Sequence, residues 1–194
     1  MQIQGEIPLA KALKSSIPPI TVRTRRAYFD CKFGQLHVRT AFPATGGFDE
    51  QATLICLHPM DESSRAFSRF LADLAEARSV YAPDLPGYGE SDSSPTRSIA
   101  DAAAAISDLA QDLRLHQIDL LGVQYGAEVA MALAASRPEL VRRVVLVRVP
   151  AAERLGSVKQ PRLVLGSADC GDDPFGAGSQ ALAKQVDSFL RSRA

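Results

Sequence analysis

Apolar positions fall into short runs separated by stretches with helical spacing. Arg25 to Cys31 and Gln35 to Ala41 read as two strands joined at Gly34, a hairpin. Thr53 to Leu57 is a short apolar strand ending in His58-Pro59-Met60-Asp61. The spacing of Phe67, Phe70, Leu71 and Leu74 then predicts a helix, with Ser63 or Ser64 as its N-cap. Val80 to Ala82 is another strand. It enters a loop dense in turn residues, Pro83 to Ser91. Ser98 to Leu115 reads as a long alanine-rich helix with Ile106, Leu109 and Leu113 inward. Ile118 to Val123, Arg143 to Val149 and Arg162 to Leu165 are further strands. A helix is predicted from Ala127 to Ser136, a Gly/Asp loop from Cys170 to Gly178, and a closing amphipathic helix from Ser179 to Arg193. Strands alternating with helices predict an α/β fold. Its mostly parallel sheet is covered on both faces and carries an antiparallel N-terminal hairpin.

The densest signal is Leu120-Leu121-Gly122-Val123-Gln124-Tyr125-Gly126-Ala127-Glu128. A buried strand, a sharp turn and a helix meet there, with a glycine two residues either side of Gln124. This is the frame of a nucleophile elbow, G-x-S-x-G. Side chains at the two glycine positions would crowd the adjoining strand and helix, while the central residue takes a strained conformation. That central residue is Gln124. An amide oxygen cannot be activated as a hydroxyl or thiol can.

Composition narrows the classes. The 194 residues suffice for one domain with a sizeable core. Residues 1–22 are expected to be a leader arm or disordered, and 23–194 a single domain. Twenty-two basic and 22 acidic residues cancel, so no global field favours nucleic acid or an anionic membrane. The arginine clusters (Arg23, Arg25, Arg26; Arg142, Arg143) read as solvated strand ends. Three cysteines without metal-like spacing imply a reducing compartment, with Cys56 in the core. Pro8, Lys11 and Lys14 interrupt any signal-peptide core, and no apolar run could span a bilayer. The expected location is cytoplasmic.

Three blocks together resemble the α/β-hydrolase superfamily over residues 25 to 192. His58-Pro59 follows a strand where that family often carries a His-Gly oxyanion turn. Asp84-Leu85-Pro86-Gly87-Tyr88-Gly89-Glu90-Ser91 matches its D-x-P-G-x-G-x-S loop. Gly122-Val123-Gln124-Tyr125-Gly126 occupies the elbow, and Arg137-Pro138-Glu139-Leu140-Val141 leads into the next strand. The resemblance implies a nucleophile, an acid and a histidine in that chain order. Gln124 replaces the first, and Asp169 stands where the acid often lies. No histidine follows His116. The last strand and its histidine loop are expected to be missing. So is the cap domain, because about ten residues separate Pro150 from Pro161.

Candidate site residues follow from this comparison. Gln124 either serves a ligand through its amide or is what remains after loss of catalysis. The Tyr125 N–H, at a helix start, supplies half of an oxyanion hole, and the region of Met60 the other half. His58 is the remaining acid/base candidate; the resemblance implies instead that it braces the oxyanion loop. His37 and His116 are expected to face solvent. Asp84 either holds its turn or takes part in catalysis. Asp169 is either an orphan acid or an exposed carboxylate. With Asp172 and Asp173 it lacks the ligand pattern of a calcium loop, so no metal or cofactor is expected. Tyr88 and Tyr125 either stack on a ligand or fill space left by the cap.

Three functions compete on these residues. The first is a relative without ordinary Ser-His-Asp activity that binds a small molecule or protein. The second is a hydrolase of small esters or lactones using His58 or Asp84. The third is a dimeric assembly protein whose uncovered strand or leader meets a second copy.

Overall fold

The hairpin forms as its sequence predicts. Strands β1 (Arg23–Cys31) and β2 (Gly34–Phe42) pair antiparallel, turning at Gly34, where φ is +118°. Such a backbone angle is open to glycine and costly for other residues. In this computed structural model, residues 22–44, 51–76, 78–150, 152–171, 175–176 and 179–192 are described. The leader expected over residues 1–22 lies outside them apart from Val22, as do Asp172 and Asp173.

Five further strands follow: β3 (Thr53–Leu57), β4 (Val80–Pro83), β5 (Ile118–Val123), β6 (Val141–Val147) and β7 (Arg162–Leu165). They complete a seven-stranded sheet in the order β1-β2-β4-β3-β5-β6-β7. The hairpin joins antiparallel through β2 and β4, and every pairing from β4 to β7 is parallel. Strands β3, β4 and β5 are buried along their whole lengths, as central parallel strands covered on two faces must be.

Alternation along each strand sends side chains to opposite sides. Ile55, Leu57, Leu120 and Leu146 face one core, built with helices α2 (Ile99–Asp112) and α3 (Tyr125–Ser136). Leu54, Cys56, Leu121 and Val145 face the other, built with α1 (Phe70–Leu74) and α5 (Ser179–Arg191). A four-residue helix, α4 (Ser167–Cys170), precedes the segment expected to be loop and takes in its first residue, Cys170. Among its described residues, the β6–β7 connection, 148–161, holds one 3-10 segment (Ala152–Ser157) and no α-helix. Among the described residues no strand follows β7.

The structure corrects three local expectations. The helix predicted after β3 divides into a 3-10 turn, Ser64–Phe67, and the short α1. Ser68 breaks it: its N–H and its hydroxyl both bond the Arg65 carbonyl, at 3.1 and 2.7 Å, and so stop the helical ladder. Helix α3 starts two residues early, because Gln124 itself is its N-cap. Arg142 and Arg143 are not solvated strand ends. β6 begins at Val141, so both lie within it, and Arg143 is buried.

The reason is Asp119, a fully buried carboxylate in an otherwise apolar strand. Unpaired, it would be very costly there. Arg142 holds it bidentately, at 2.9 and 2.5 Å, and fully buried Arg78 reaches it at 3.2 Å. Arg78 also reaches Asp187 on α5 at 2.9 Å. Arg142 and Arg143 bond the Leu190 carbonyl at 3.0 and 2.7 Å. The cluster therefore ties three strand starts to the C-terminal turn of α5, whose carbonyls lack helical partners.

Candidate active site at the elbow

Gln124 has φ 48° and ψ −111°, outside the regions that side-chain-bearing residues favour. The packing around it enforces that geometry. A Cβ at Gly122 would collide with the Gly126 carbonyl and lie 2.6 Å from the Ala127 Cα. One at Gly126 would run into the Leu57 and His58 carbonyls. Gly122 therefore lets strand β5 approach α3, and Gly126 lets α3 approach the end of β3. The Gln124 N–H bonds the Val147 carbonyl at 2.9 Å, and its own carbonyl accepts the Ala127 and Glu128 N–H groups at 2.9 and 3.2 Å. The side chain is left exposed and makes no cap bond.

The Tyr125 N–H opens α3 and has no acceptor within the helix, so it adds to the positive end of the helix dipole. Met60, after the β3 turn, is 53% exposed. Tyr88 is half-buried, with its ring 5.4 Å from His58 and 6.1 Å from Tyr125. Tyr125 is buried, and its hydroxyl donates to the Arg97 carbonyl at 3.4 Å. His58, Tyr88 and Tyr125 thus form one aromatic cluster beside the elbow, edge-on at His58 and tilted at Tyr125.

His58 is fully buried. Its Nε2 accepts the Leu85 N–H at 2.9 Å, so the ring proton resides on Nδ1, which donates to the Pro59 carbonyl at 2.7 Å. Burial holds its pKa below the usual histidine value, against the pull of the Pro59 carbonyl and of Asp84. A neutral ring with both nitrogens bonded to backbone has none free for a substrate. What it does is lock the β3 turn to the Pro-Gly loop.

Asp84 is the second anchor of that loop. Oδ1 accepts the Ser64 N–H at 2.6 Å, and Oδ2 accepts the Glu90 N–H at 2.9 Å. Burial alone would raise its pKa; the hydrogen bonds from Ser64, Glu90 and His37 outweigh burial and hold it below the ordinary carboxylate value. Gly89, at φ 55°, leaves room for this carboxylate, which a Cβ would strike.

Asp84 also brings in a residue that the sequence placed elsewhere. His37 was expected in solvent; it is 1% exposed and bonds Asp84 Oδ2 through Nδ1 at 2.9 Å. Edge strand β1 and its Tyr28 cover it, with ring centroids 5.4 Å apart. Alternation on β2 pointed it to the same side as Arg39 and Ala41, but nothing local named Asp84 as its partner. His116 is exposed, as expected. Asp169 lies on α4, exposed, and its carboxylate accepts the Gly166 N–H at 2.7 Å. It joins none of the elbow residues. Among the described residues no cluster of His, Cys, Asp and Glu could hold a metal ion, and no helix is long and apolar enough to cross a membrane.

A parallel sheet entered by an antiparallel hairpin, with a strained strand-to-helix elbow at its centre, defines the hydrolase-type α/β class. The family model described as alpha/beta hydrolase fold matches residues 52–166, more than half of the chain, and this chain belongs to that family.

An uncharacterized protein of Mycobacterium tuberculosis is 30% identical over 132 residues, which are 68% of this chain and 36% of that protein. A 2-hydroxymuconate semialdehyde hydrolase of Pseudomonas sp. is 39% identical over 82 residues, 40% of this chain and 28% of that enzyme. The chain thus spans about a third of the length of these relatives. Among solved structures, a carboxylesterase from Bacillus subtilis aligns with a TM-score of 0.59 and 25% identity, over 66% of this chain and 44% of that one. An epoxide hydrolase from an endophytic Streptomyces aligns at 0.60 with 21% identity, over 66% and 38%, a likeness of fold.

Proposed function

We propose that this chain binds a small carbonyl or carboxylate compound at the elbow and does not hydrolyse it by Ser-His-Asp chemistry. The observation that carries this reading is Gln124. The elbow keeps its strained backbone, its two glycines and the helix N-terminus behind it, yet presents an amide. An oxyanion-type site needs only backbone donors, so it outlasts a change of nucleophile. The Gln124 amide adds a donor and an acceptor for orienting a polar ligand. Relatives whose names specify a semialdehyde hydrolase and a carboxylesterase support a carbonyl-bearing ligand.

The rival reading, hydrolysis through His58 or Asp84, finds less support. Both nitrogens of His58 and both oxygens of Asp84 are already engaged in holding loops.

The test is turnover of a panel of chromogenic short-chain esters and lactones by wild type, Gln124→Ala and His58→Ala. The same compounds' acid products are titrated in a thermal-shift assay. Expected are equal, non-saturating rates in all three proteins, and a saturable rise in Tm for at least one acid that Gln124→Ala weakens. Saturable turnover that collapses in either variant would overturn the reading.

A further inference from the structure

A second polar site lies away from the elbow, on the outer hairpin. Arg26 and Arg39 stand directly opposite each other in the β1–β2 ladder. Cross-strand partners project from the same face, and like charges so placed repel. Between this hairpin and the start of α1 lies a cleft of about 200 Å³, lined by Thr24, Arg25, Arg26, Arg39, Ser68 and Leu71.

No carboxylate among the described residues comes within ion-pair distance of Arg25, Arg26 or Arg39. Glu90, whose charge Arg26 feels, is held instead by the Tyr28 hydroxyl at 3.1 Å and by Arg65 at 3.4 Å. The Arg39 Nε is shielded from water and has no hydrogen-bond partner. Arg39 as a whole is only part-buried and lines the cleft, so its terminal guanidinium nitrogens, not the shielded Nε, are the groups an anion there would meet. The Ser68 hydroxyl already donates to the Arg65 carbonyl at 2.7 Å, so the charged donors lining the cleft are the arginines, with the Thr24 hydroxyl beside them.

We propose that this cleft binds a phosphate-class oxyanion between Arg26 and Arg39, with Arg25 at its rim. Planar guanidinium forks suit tetrahedral oxyanions, which can accept two N–H bonds from each fork. The volume admits the anion and a few further atoms, which fits inorganic phosphate or a small phosphate monoester. Two arginines opposed across the ladder with no carboxylate in ion-pair contact are what such an anion would neutralise. The proposal is independent of the elbow.

The experiment titrates inorganic phosphate, and separately glycerol 3-phosphate, into wild type, Arg26→Gln, Arg39→Gln, Arg39→Lys and Arg137→Gln at fixed ionic strength. Calorimetry gives Kd and thermal shift gives Tm. Expected is saturable binding to wild type and Arg137→Gln, weakened tenfold or more in both glutamine variants and to a smaller degree in Arg39→Lys. Tighter binding of glycerol 3-phosphate would assign the site to monoesters; equal or weaker binding would assign it to the free ion. Without anion, Arg26→Gln should match or exceed the Tm of wild type, because it removes a repulsive pair. That readout separates lost binding from lost folding. Equal affinities across all five proteins, or no saturable binding to wild type, would overturn the proposal.

Discussion

His37 on the second strand of the hairpin donates its Nδ1 proton to Asp84 across 2.9 Å, between two side chains that are 1% and 2% exposed. That one bond fastens the antiparallel edge of the sheet to the Pro-Gly loop. The same carboxylate takes N–H groups from Ser64 and Glu90, so three separate segments converge on Asp84. Asp84→Ala leaves buried donors unmatched and should cost about 3 kcal/mol, by the usual penalty for breaking a buried polar cluster. Urea denaturation checks it. A loss smaller than about 1 kcal/mol would mean that water replaces the carboxylate without difficulty.

The elbow geometry makes a prediction with the opposite sign. Gln124 is held at φ 48°, ψ −111°, where glycine rests easily and glutamine does not. Gln124→Gly should stabilise the fold by roughly 1 kcal/mol, strain relief exceeding the added freedom of the unfolded chain. By contrast Gly126→Ala, which drives a methyl group into the Leu57 and His58 carbonyls, should destabilise by at least about 3 kcal/mol. Thermal melts of both variants side by side decide the matter.

Restoring a hydroxyl at the elbow should not restore catalysis. In Gln124→Ser the serine would need a base within reach, and His58 has both nitrogens committed to Leu85 and Pro59. Ester hydrolysis in this variant should stay within about tenfold of background, where a complete triad contributes several powers of ten. Saturable turnover abolished by a second change at His58 would show that the ring can leave its backbone partners.

Stability should fall in two stages as pH drops. Burial keeps the His58 pKa below 6.5 in the fold, while the unfolded chain takes up a proton near 6.5. Below that pH the unfolded state binds more protons, so the fold weakens until the depressed pKa is reached. Asp84 is held below 3.8, and the stability it provides is present above that value and lost as pH falls through the folded pKa. Urea midpoints from pH 8 to pH 3 should therefore decline first below about 6.5 and again below about 4. Asp84→Asn should shrink the second decline, which Glu90, Asp101 and Glu139 share because they too are held below their ordinary values, and leave the first in place. A midpoint that stays flat from pH 7 to pH 5 contradicts the first stage.

The charged cluster at the opposite end of the sheet should be unforgiving. Asp119→Asn leaves Arg78, which is fully buried, facing a neutral amide, at an expected cost of 3–5 kcal/mol, in the range of roughly this size for broken buried pairs. Hydrogen exchange should then show α5 losing protection before the central strands.

Much of this architecture is written in the alternation and in the glycines. Every strand was legible because apolar runs such as Thr53 to Leu57 and Ile118 to Val123 are short and bounded by turn residues. The elbow was legible because Gly122 and Gly126 have a steric reason to be glycine. What escaped were long-range polar pairs. His37 and Asp84 are 47 residues apart, and Arg78 and Asp119 are 41 apart. No local pattern couples residues so distant. One signal was available for the second pair: Asp119 interrupts an apolar strand, and a carboxylate there demands a cation. The same rule makes sense of the two arginines at the start of the neighbouring strand, otherwise read as surface. The split helix after β3 was hidden for a different reason. Its apolar spacing is regular, and the break comes from a serine competing for one carbonyl.

The elbow's shape depends on its neighbours and not on the side chain it displays. Gly122, Gly126, Leu57 and the Val147 carbonyl dictate the turn, and residue 124 merely occupies it. The scaffold therefore separates presentation from reactivity: a fixed backbone socket offers whichever functional group the codon supplies. Amide, hydroxyl, thiol and carboxylate could be exchanged at this one point with the surrounding sheet unchanged, which makes the position a natural place to graft new chemistry onto a finished fold.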